Sequence, residues 1–140
     1  MTAYRDSHDH LADELERRFL GAWQVQVCVQ LHGLVLAALE MRDLIAQRRA
    51  ERLRENKPAF EMRVGIHTGP VVAGIVGVKK FQYDIWGDTV NTASRMESSG
   101  EPGRINISAT SHALLHWLFQ CRQRGAVAAK NKGMIDMYFL

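Results

Sequence analysis

The sequence predicts an α+β domain with an antiparallel-rich sheet and helices packed on one face. Three observations predict it. Phe81, Tyr83 and Ile85 alternate with Gln82 and Asp84, the period of a strand with two unlike faces. Leu34, Ala38, Met41 and Ile45 recur at helical spacing and make residues 34–55 a helix. Residues 126–129 and 134–139 flank a polar turn at 130–133 as a closing hairpin.

The elements follow in order. Ser7 caps a short helix to about residue 20, with Leu11, Leu15 and Phe19 on one side and Gly21 as its stop. From Trp23 the pattern changes. Trp23, Val25, Val27, Val29 and Leu31 alternate with polar residues, as in a strand; a helix through Leu20, Trp23, Val27, Leu31 and Leu34 is the alternative. Three valines and the bracketing Gly21 and Gly33 favour the strand. The helix over 34–55 gathers Arg42, Arg48, Arg49, Arg52 and Arg54 in its second half. Cations suit that end of the helix dipole, so they read as a solvated helix end rather than an anion site.

Residues 56–60, with Pro58, form a loop. Residues 62–68 form a strand with Val64 and Ile66 inward, Gly69-Pro70 turns the chain, and residues 71–76 run on as another strand. Gly65, Gly69, Gly74 and Gly77 lack the Gly-Lys-Ser/Thr and the spacing of a phosphate loop, so they mark a glycine-bearing hairpin whose exposed end carries Lys79 and Lys80. After the strand at 81–85, Gly87 permits a sharp turn, and Asp88 or Thr89 can cap the next helix. Residues 98–103 are a loop and 104–108 a strand, and Ser108 or Thr110 caps a helix to about residue 119.

Bulk properties exclude some classes. The chain of 140 residues has the length of one domain, and its net charge of +3 does not by itself argue for nucleic acid or a membrane surface. Cys28 and Cys121 stand far apart in unlike settings and read as reduced thiols of a cytoplasmic protein. The first ten residues are polar, with no signal-peptide pattern, and the longest apolar run, 33–41, is too short for a membrane span. His112 and His116 have a spacing that can bind zinc but lack a glutamate between them and a third ligand, so they read as structural; His8-Asp9-His10 reads as a polar terminus. No Gly-x-Ser-x-Gly elbow occurs.

The chemistry concentrates in residues 81–96. Asn91 and Arg95 are four apart and share one face of a helix whose N-terminal end attracts phosphate. An acid on the strand, Asp84, with an amide and a guanidinium on that helix, can hold a nucleotide at base, ribose and phosphate. The run from Tyr83 through Asp84, Ile85, Trp86, Gly87, Thr89, Val90, Asn91, Ala93, Ser94, Arg95 and Met96 closely resembles the class III nucleotidyl cyclases. The likeness extends to residues 63–74, 103–108 and 130–133, and covers about 34–140. That divides the chain into a divergent N-terminal segment, 1–33, and a partial cyclase domain, 34–140.

The resemblance implies a ferredoxin-like palm whose N-terminal strands are truncated or degenerate. It implies that Asp84 accepts from the adenine amino group, that Asn91 orients the ribose, and that Arg95 stabilises charge on the α-phosphate as the 3′-hydroxyl attacks. Lys130 matches the lysine that holds the terminal phosphates; the usual Lys-Gly-Lys-Gly is here Lys130-Asn131-Lys132-Gly133, so Lys132 is a second candidate, and Asn131 suits a left-handed turn. The expected activity is formation of cyclic AMP and diphosphate from ATP, between this chain and a second cyclase domain. Mg or Mn ions are expected for the family, but the two metal aspartate motifs are absent; the nearest match to one places Ala22 where the aspartate belongs. The chain alone is then expected to be inactive, supplying the base, ribose and transition-state half of a site. The alternative is a non-catalytic nucleotide-binding or dimerisation module.

Overall fold

The computed structural model describes residues 22–77 and 82–140, with side chains from residue 26. The short helix expected before Gly21, and Lys79 and Lys80, lie outside the described residues. The chain divides into two compact units, 1–38 and 39–140. Helix α1, Ala22–Arg54, begins in the first and ends in the second.

The expected strand over 23–31 is helix instead. Its buried residues explain why. Cys28, Leu31, Val35 and Ala38 are all buried and recur every three or four positions, so one helical face collects them. A strand would split Cys28 from Leu31 across its two faces. Gly33 is tolerated inside the helix at a propensity cost of about 1 kcal/mol. Of the stripe expected from Leu34, Ala38, Met41 and Ile45, Ala38 is buried, but Leu34 and Met41 are half exposed, so the buried face runs through Cys28, Leu31, Val35 and Ala38 instead. Among the arginines of the second half, Arg49 pairs with Glu61 at 2.8 Å and Arg52 donates to the Pro58 carbonyl at 2.6 Å. These tie the helix end to the loop after it. No helix among the described residues is long and apolar enough to cross a membrane.

The second unit carries a four-stranded sheet in the order β1-β4-β6-β5, where β1 is Val64–Ile66, β4 Ile105–Ser108, β5 Arg122–Ala129 and β6 Gly133–Phe139. Strand β1 runs parallel to β4; the other pairs are antiparallel. A separate hairpin pairs β2, Val72–Val76, with β3, Gln82–Trp86. Helix α2, Asp88–Ser98, connects that hairpin to β4, and α3, Ala109–Leu115, follows β4. The α+β class and the antiparallel-rich sheet thus stand as the sequence predicts.

The inner strand β4 is buried at every position, Ile105 to Ser108. Its Asn106 is a fully buried amide and needs partners. Asn106 Nδ2 donates to the Met96 carbonyl of α2 at 2.8 Å, and Arg124 Nη1 donates to Asn106 Oδ1 at 3.0 Å. Arg124 reaches inward because the β5 ladder shifts register between Gln123 and Gly125. Gly125 holds a positive φ of 80°, and the extra residue re-aims the guanidinium toward the Ser99 carbonyl, 2.9 Å away, and over the Phe139 ring. Met96 packs with Ala129 and Met137, so α2 is fastened to the sheet by apolar and polar contacts together.

Helix α2 also lies directly on β1. A Cβ on Gly65 would sit 2.1 Å from the Glu97 backbone nitrogen. Only a residue without a side chain allows that approach. Arg63, two residues earlier, pairs with Glu97 at 2.9 Å. The helix after β4 ends at Leu115, short of the expected residue 119, because Leu118 and Phe119 both turn their N–H groups onto the Leu115 carbonyl.

Gly65→Ala is expected to destabilise the fold by about 3 kcal/mol, since the clash is with backbone that cannot rotate away. Thermal melting of the variant tests it, and an unchanged midpoint would contradict the packing described.

Candidate functional site

The hairpin β2–β3 is unusual in burying neither face. Every residue of both strands is exposed except Gly74, which is intermediate. Val72, Ile75 and Tyr83 are 67, 71 and 70 % exposed. The alternation of Tyr83 and Ile85 with Asp84 is present, but it does not separate a core face from a solvent face. An apolar patch of this kind marks a surface that meets something else. Asp84 lies opposite Gly74, and its Oδ1 accepts from the Ile85 N–H at 2.8 Å. That short contact orients the carboxylate while leaving its second oxygen available to a donor.

Gly87, at φ 138°, turns the chain from β3 into α2. The expected cap by Asp88 or Thr89 is not made. Gly87 itself is the N-cap and has no side chain to offer, so Asp88 and Thr89 both fall inside the first turn. Thr89 Oγ1 instead donates to the Pro70 carbonyl at 2.5 Å, joining the helix start to the turn before β2. Thr92 and Met96 occupy the buried face of α2, which leaves Asn91 exposed and Arg95 half-buried on the outer one. Arg95 is in the last turn of this helix, farther from its N-terminus than Asn91. The acids nearest to it in the sequence, Glu97 and Glu101, pair with Arg63 and Arg124. Asp84, Asn91 and Arg95 are therefore carried on one continuous strand–turn–helix unit.

The turn between β5 and β6 comes to the same place. Asn131 and Gly133 adopt φ of 62° and 72°, the left-handed conformations expected of an Asn and a Gly there. Lys130 is exposed. Lys132 is only 20 % exposed, and its ammonium donates to the Asp88 carboxylate at the start of α2. That bond and the lysine's charge hold the Asp88 carboxyl below its ordinary range.

A cluster that the sequence did not single out lies beside this pair. His67 follows β1, and its Nδ1 shares a hydrogen bond of 2.7 Å with Ser108 Oγ. Ser108 caps α3 by accepting from the Ser111 N–H, and the Ser111 hydroxyl meets that of Thr68. Burial pushes the His67 pKa down; Asp88 opposes that shift and Lys132 adds to it. His67 thus stands within electrostatic reach of both members of the ion pair. Residues 44 apart give no local sign of such a pair.

His112 and His116 behave as structural residues. His112 stacks on Tyr138 with ring centroids 3.7 Å apart, and His116 Nδ1 donates to the Ala113 carbonyl at 3.1 Å. Cys28 and Cys121 are both free thiols, with pKa raised by burial. Among the described residues no three His, Cys, Asp or Glu side chains come together to hold a metal ion. The described residues do not fit a metal site.

The family model described as the adenylate and guanylate cyclase catalytic domain matches residues 20–140. The chain belongs to that family. Among curated relatives it is 43 % identical over 117 residues to the rat guanylate cyclase soluble subunit beta-2, covering 83 % of this chain and 17 % of that protein. It is 49 % identical over 84 residues to the receptor-type guanylate cyclase gcy-4 of Caenorhabditis elegans, covering 57 % of this chain and 7 % of that protein. The chain thus spans a small part of these relatives' length. Among solved structures, the guanylate cyclase domain of RhGC from Catenaria anguillulae in complex with GTP matches 78 % of this chain and 58 % of its own, with TM-score 0.68 and 31 % identity. The adenylyl cyclase CyaB from P. aeruginosa shares the fold over 99 % of this chain and 78 % of its own, with TM-score 0.66 and 23 % identity. This cyclase domain therefore has the palm fold expected of class III nucleotidyl cyclases, a generally metal-dependent family. Its curated relatives are mostly guanylate cyclases, so the expected preference for ATP does not come from them.

The histidines set a pH dependence of stability. His67 and His112 have pKa values lowered below the ordinary 6.5, each first by burial. The unfolded chain then binds protons that the folded chain does not, so stability falls as pH drops below about 6.5. Asp88 stays charged through this window, because its own pKa is lowered below the ordinary 3.8. Urea unfolding at pH 7.5 and pH 5.5 should show the loss, and the double variant H67Q/H112Q should flatten it. An undiminished slope in the double variant would contradict the assignment.

Proposed function

We propose that the chain supplies the base, ribose and transition-state half of an adenylate cyclase site, completed by a second cyclase domain that contributes the metal aspartates. The observation that carries this is the single unit of β3, Gly87 and α2, which presents Asp84, Asn91 and an Arg95 whose acidic neighbours face other arginines. In the reaction the ribose 3′-oxygen bonds to the α-phosphorus, the bond to the diphosphate oxygen breaks, and the hydroxyl proton is lost to solvent or a base on the partner. Arg95 serves the charge that builds on the α-phosphate oxygens, because a planar guanidinium matches two of them. Asn91 holds the ribose hydroxyl in line. Lys130 and the free N–H groups of α2 face the remaining phosphates. The unburied hairpin β2–β3, with its exposed Val72, Ile75 and Tyr83, supports docking against the second domain.

Asp84 favours ATP. A carboxylate only accepts, so it suits the adenine amino group and opposes the guanine carbonyl at the same ring position. Two acceptors facing each other cost about 1–3 kcal/mol, or roughly five- to a hundredfold in preference. The guanylate cyclase relatives do not decide the base, since a few pocket residues read it. A rhodopsin-guanylyl cyclase core with converted specificity, in complex with ATPalphaS, matches this fold with TM-score 0.65 and 32 % identity over 78 % of this chain and 57 % of its own.

The test mixes the chain with a related domain that carries the metal aspartates. ATP should be cyclised in preference to GTP, and Asp84→Cys should lose that preference more than it loses total turnover. Arg95→Ala should lower kcat far more than it raises KM, because the contact strengthens in the transition state. Equal use of both nucleotides would overturn the adenine assignment. No turnover with any partner would leave a nucleotide-binding or dimerisation module.

A further inference from the structure

The two lysines of the β5–β6 turn are held differently, and this bears on which one meets the nucleotide. Lys132 is mostly buried along its stem and donates to Asp88; Lys130 is exposed. The turn is itself fixed, since the Lys132 N–H donates to the Ala129 carbonyl at 3.0 Å and Asn131 and Gly133 both take left-handed conformations. Asp88 is anchored from the other side as the first residue of α2, and its own carbonyl accepts from Thr92 Oγ1 at 2.9 Å. The ion pair therefore joins two independently fixed pieces of backbone, 44 residues apart. His67, bonded to Ser108, feels both charges: Asp88 raises its pKa and Lys132 lowers it.

We infer that Lys132 is a positioning residue: through Asp88 it locks the β5–β6 turn to the first turn of α2, so that Lys130 alone is presented to the phosphates. This rests on the nucleotide half-site proposed above. The pair does a second service. Asp88 occupies the helix N-terminus, where a phosphate would also be drawn. A bare carboxylate there would repel the triphosphate, and the Lys132 ammonium neutralises it.

The sign of one substitution separates this role from direct phosphate binding. If Lys132 only positions, Asp88→Asn breaks the lock and raises KM for ATP, by about fivefold for a pair of this exposure. If Lys132 grips phosphate, Asp88→Asn frees it and KM falls or stays. Lys132→Met should raise KM more than Asp88→Asn does, because it also unmasks the carboxylate, and D88N/K132M should be no worse than Lys132→Met alone. These are measured in the complemented complex with ATP. Hydrogen–deuterium exchange on the chain alone, with no nucleotide, supplies the second arm. Asp88→Asn and Lys132→Met should each speed exchange in both segments, 88–91 and 130–133. Exchange confined to the substituted segment, or a lower KM for Asp88→Asn, would overturn the inference. A wild-type complex that turns over no nucleotide would instead overturn the half-site on which it rests, whatever the exchange shows.

Discussion

The contact on which the rest depends is the backbone-to-backbone approach of α2 to β1. Gly65 has no Cβ, and the Glu97 amide fills the space where one would be. Once the helix lies that close, Met96 falls between Ala129 and Met137, and its carbonyl meets the buried amide of Asn106. Arg124, turned inward by the irregularity in β5, satisfies the other end of that amide. A buried amide left half-satisfied costs about 1–3 kcal/mol, so helix, strand and bulge stabilise one another or fail together. The outer face of α2 is then fixed by what its inner face does. Asn91 and Arg95 owe their placement to Gly65 and Asn106 more than to any contact of their own.

Several cations of this domain are paired with carboxylates. Arg63, Arg49 and Arg124 face carboxylates, and Lys132 meets Asp88. Most of these pairs are exposed and add little stability singly. Their effect is to occupy the acids around the strand–turn–helix unit. Among the described residues Arg95 and Lys130 meet no carboxylate, and Arg104 and Arg122, which lie over the Phe139 ring, meet none either; the proposed half-site gives Arg95 and Lys130 an anion. The hairpin β2–β3 makes the same point in apolar terms, because a two-stranded sheet with both faces in water is marginal on its own.

Much of this was legible in the sequence where local rules decide. The turn at Asn131 and Gly133 follows from which residues accept positive φ, and the cap at Ser108 follows from its hydroxyl. The helix over 22–54 was half legible. Its valines argue for a strand locally, and burial of Cys28, Leu31, Val35 and Ala38 on one face overrides them. The cap of α2 was misplaced by one residue, because Gly87 can serve as N-cap without a side chain and that leaves Asp88 free for a distant lysine. The cluster of His67, Asp88, Lys132 and Ser108 was not legible at all. Its members come from four places in the chain, and only the β1–β4 pairing and the β5–β6 turn bring them together. The family was legible because its residues sit in one continuous run.

The central claim is that this chain is one specific half of a divided site. It is tested most directly by complementation against two defective partners, each a related cyclase domain. One partner keeps its metal aspartates and lacks its own transition-state arginine; the other keeps the arginine and lacks the aspartates. The account predicts that this chain restores ATP turnover to the first and not to the second. Rescue of the aspartate-deficient partner, or rescue of neither, would contradict it.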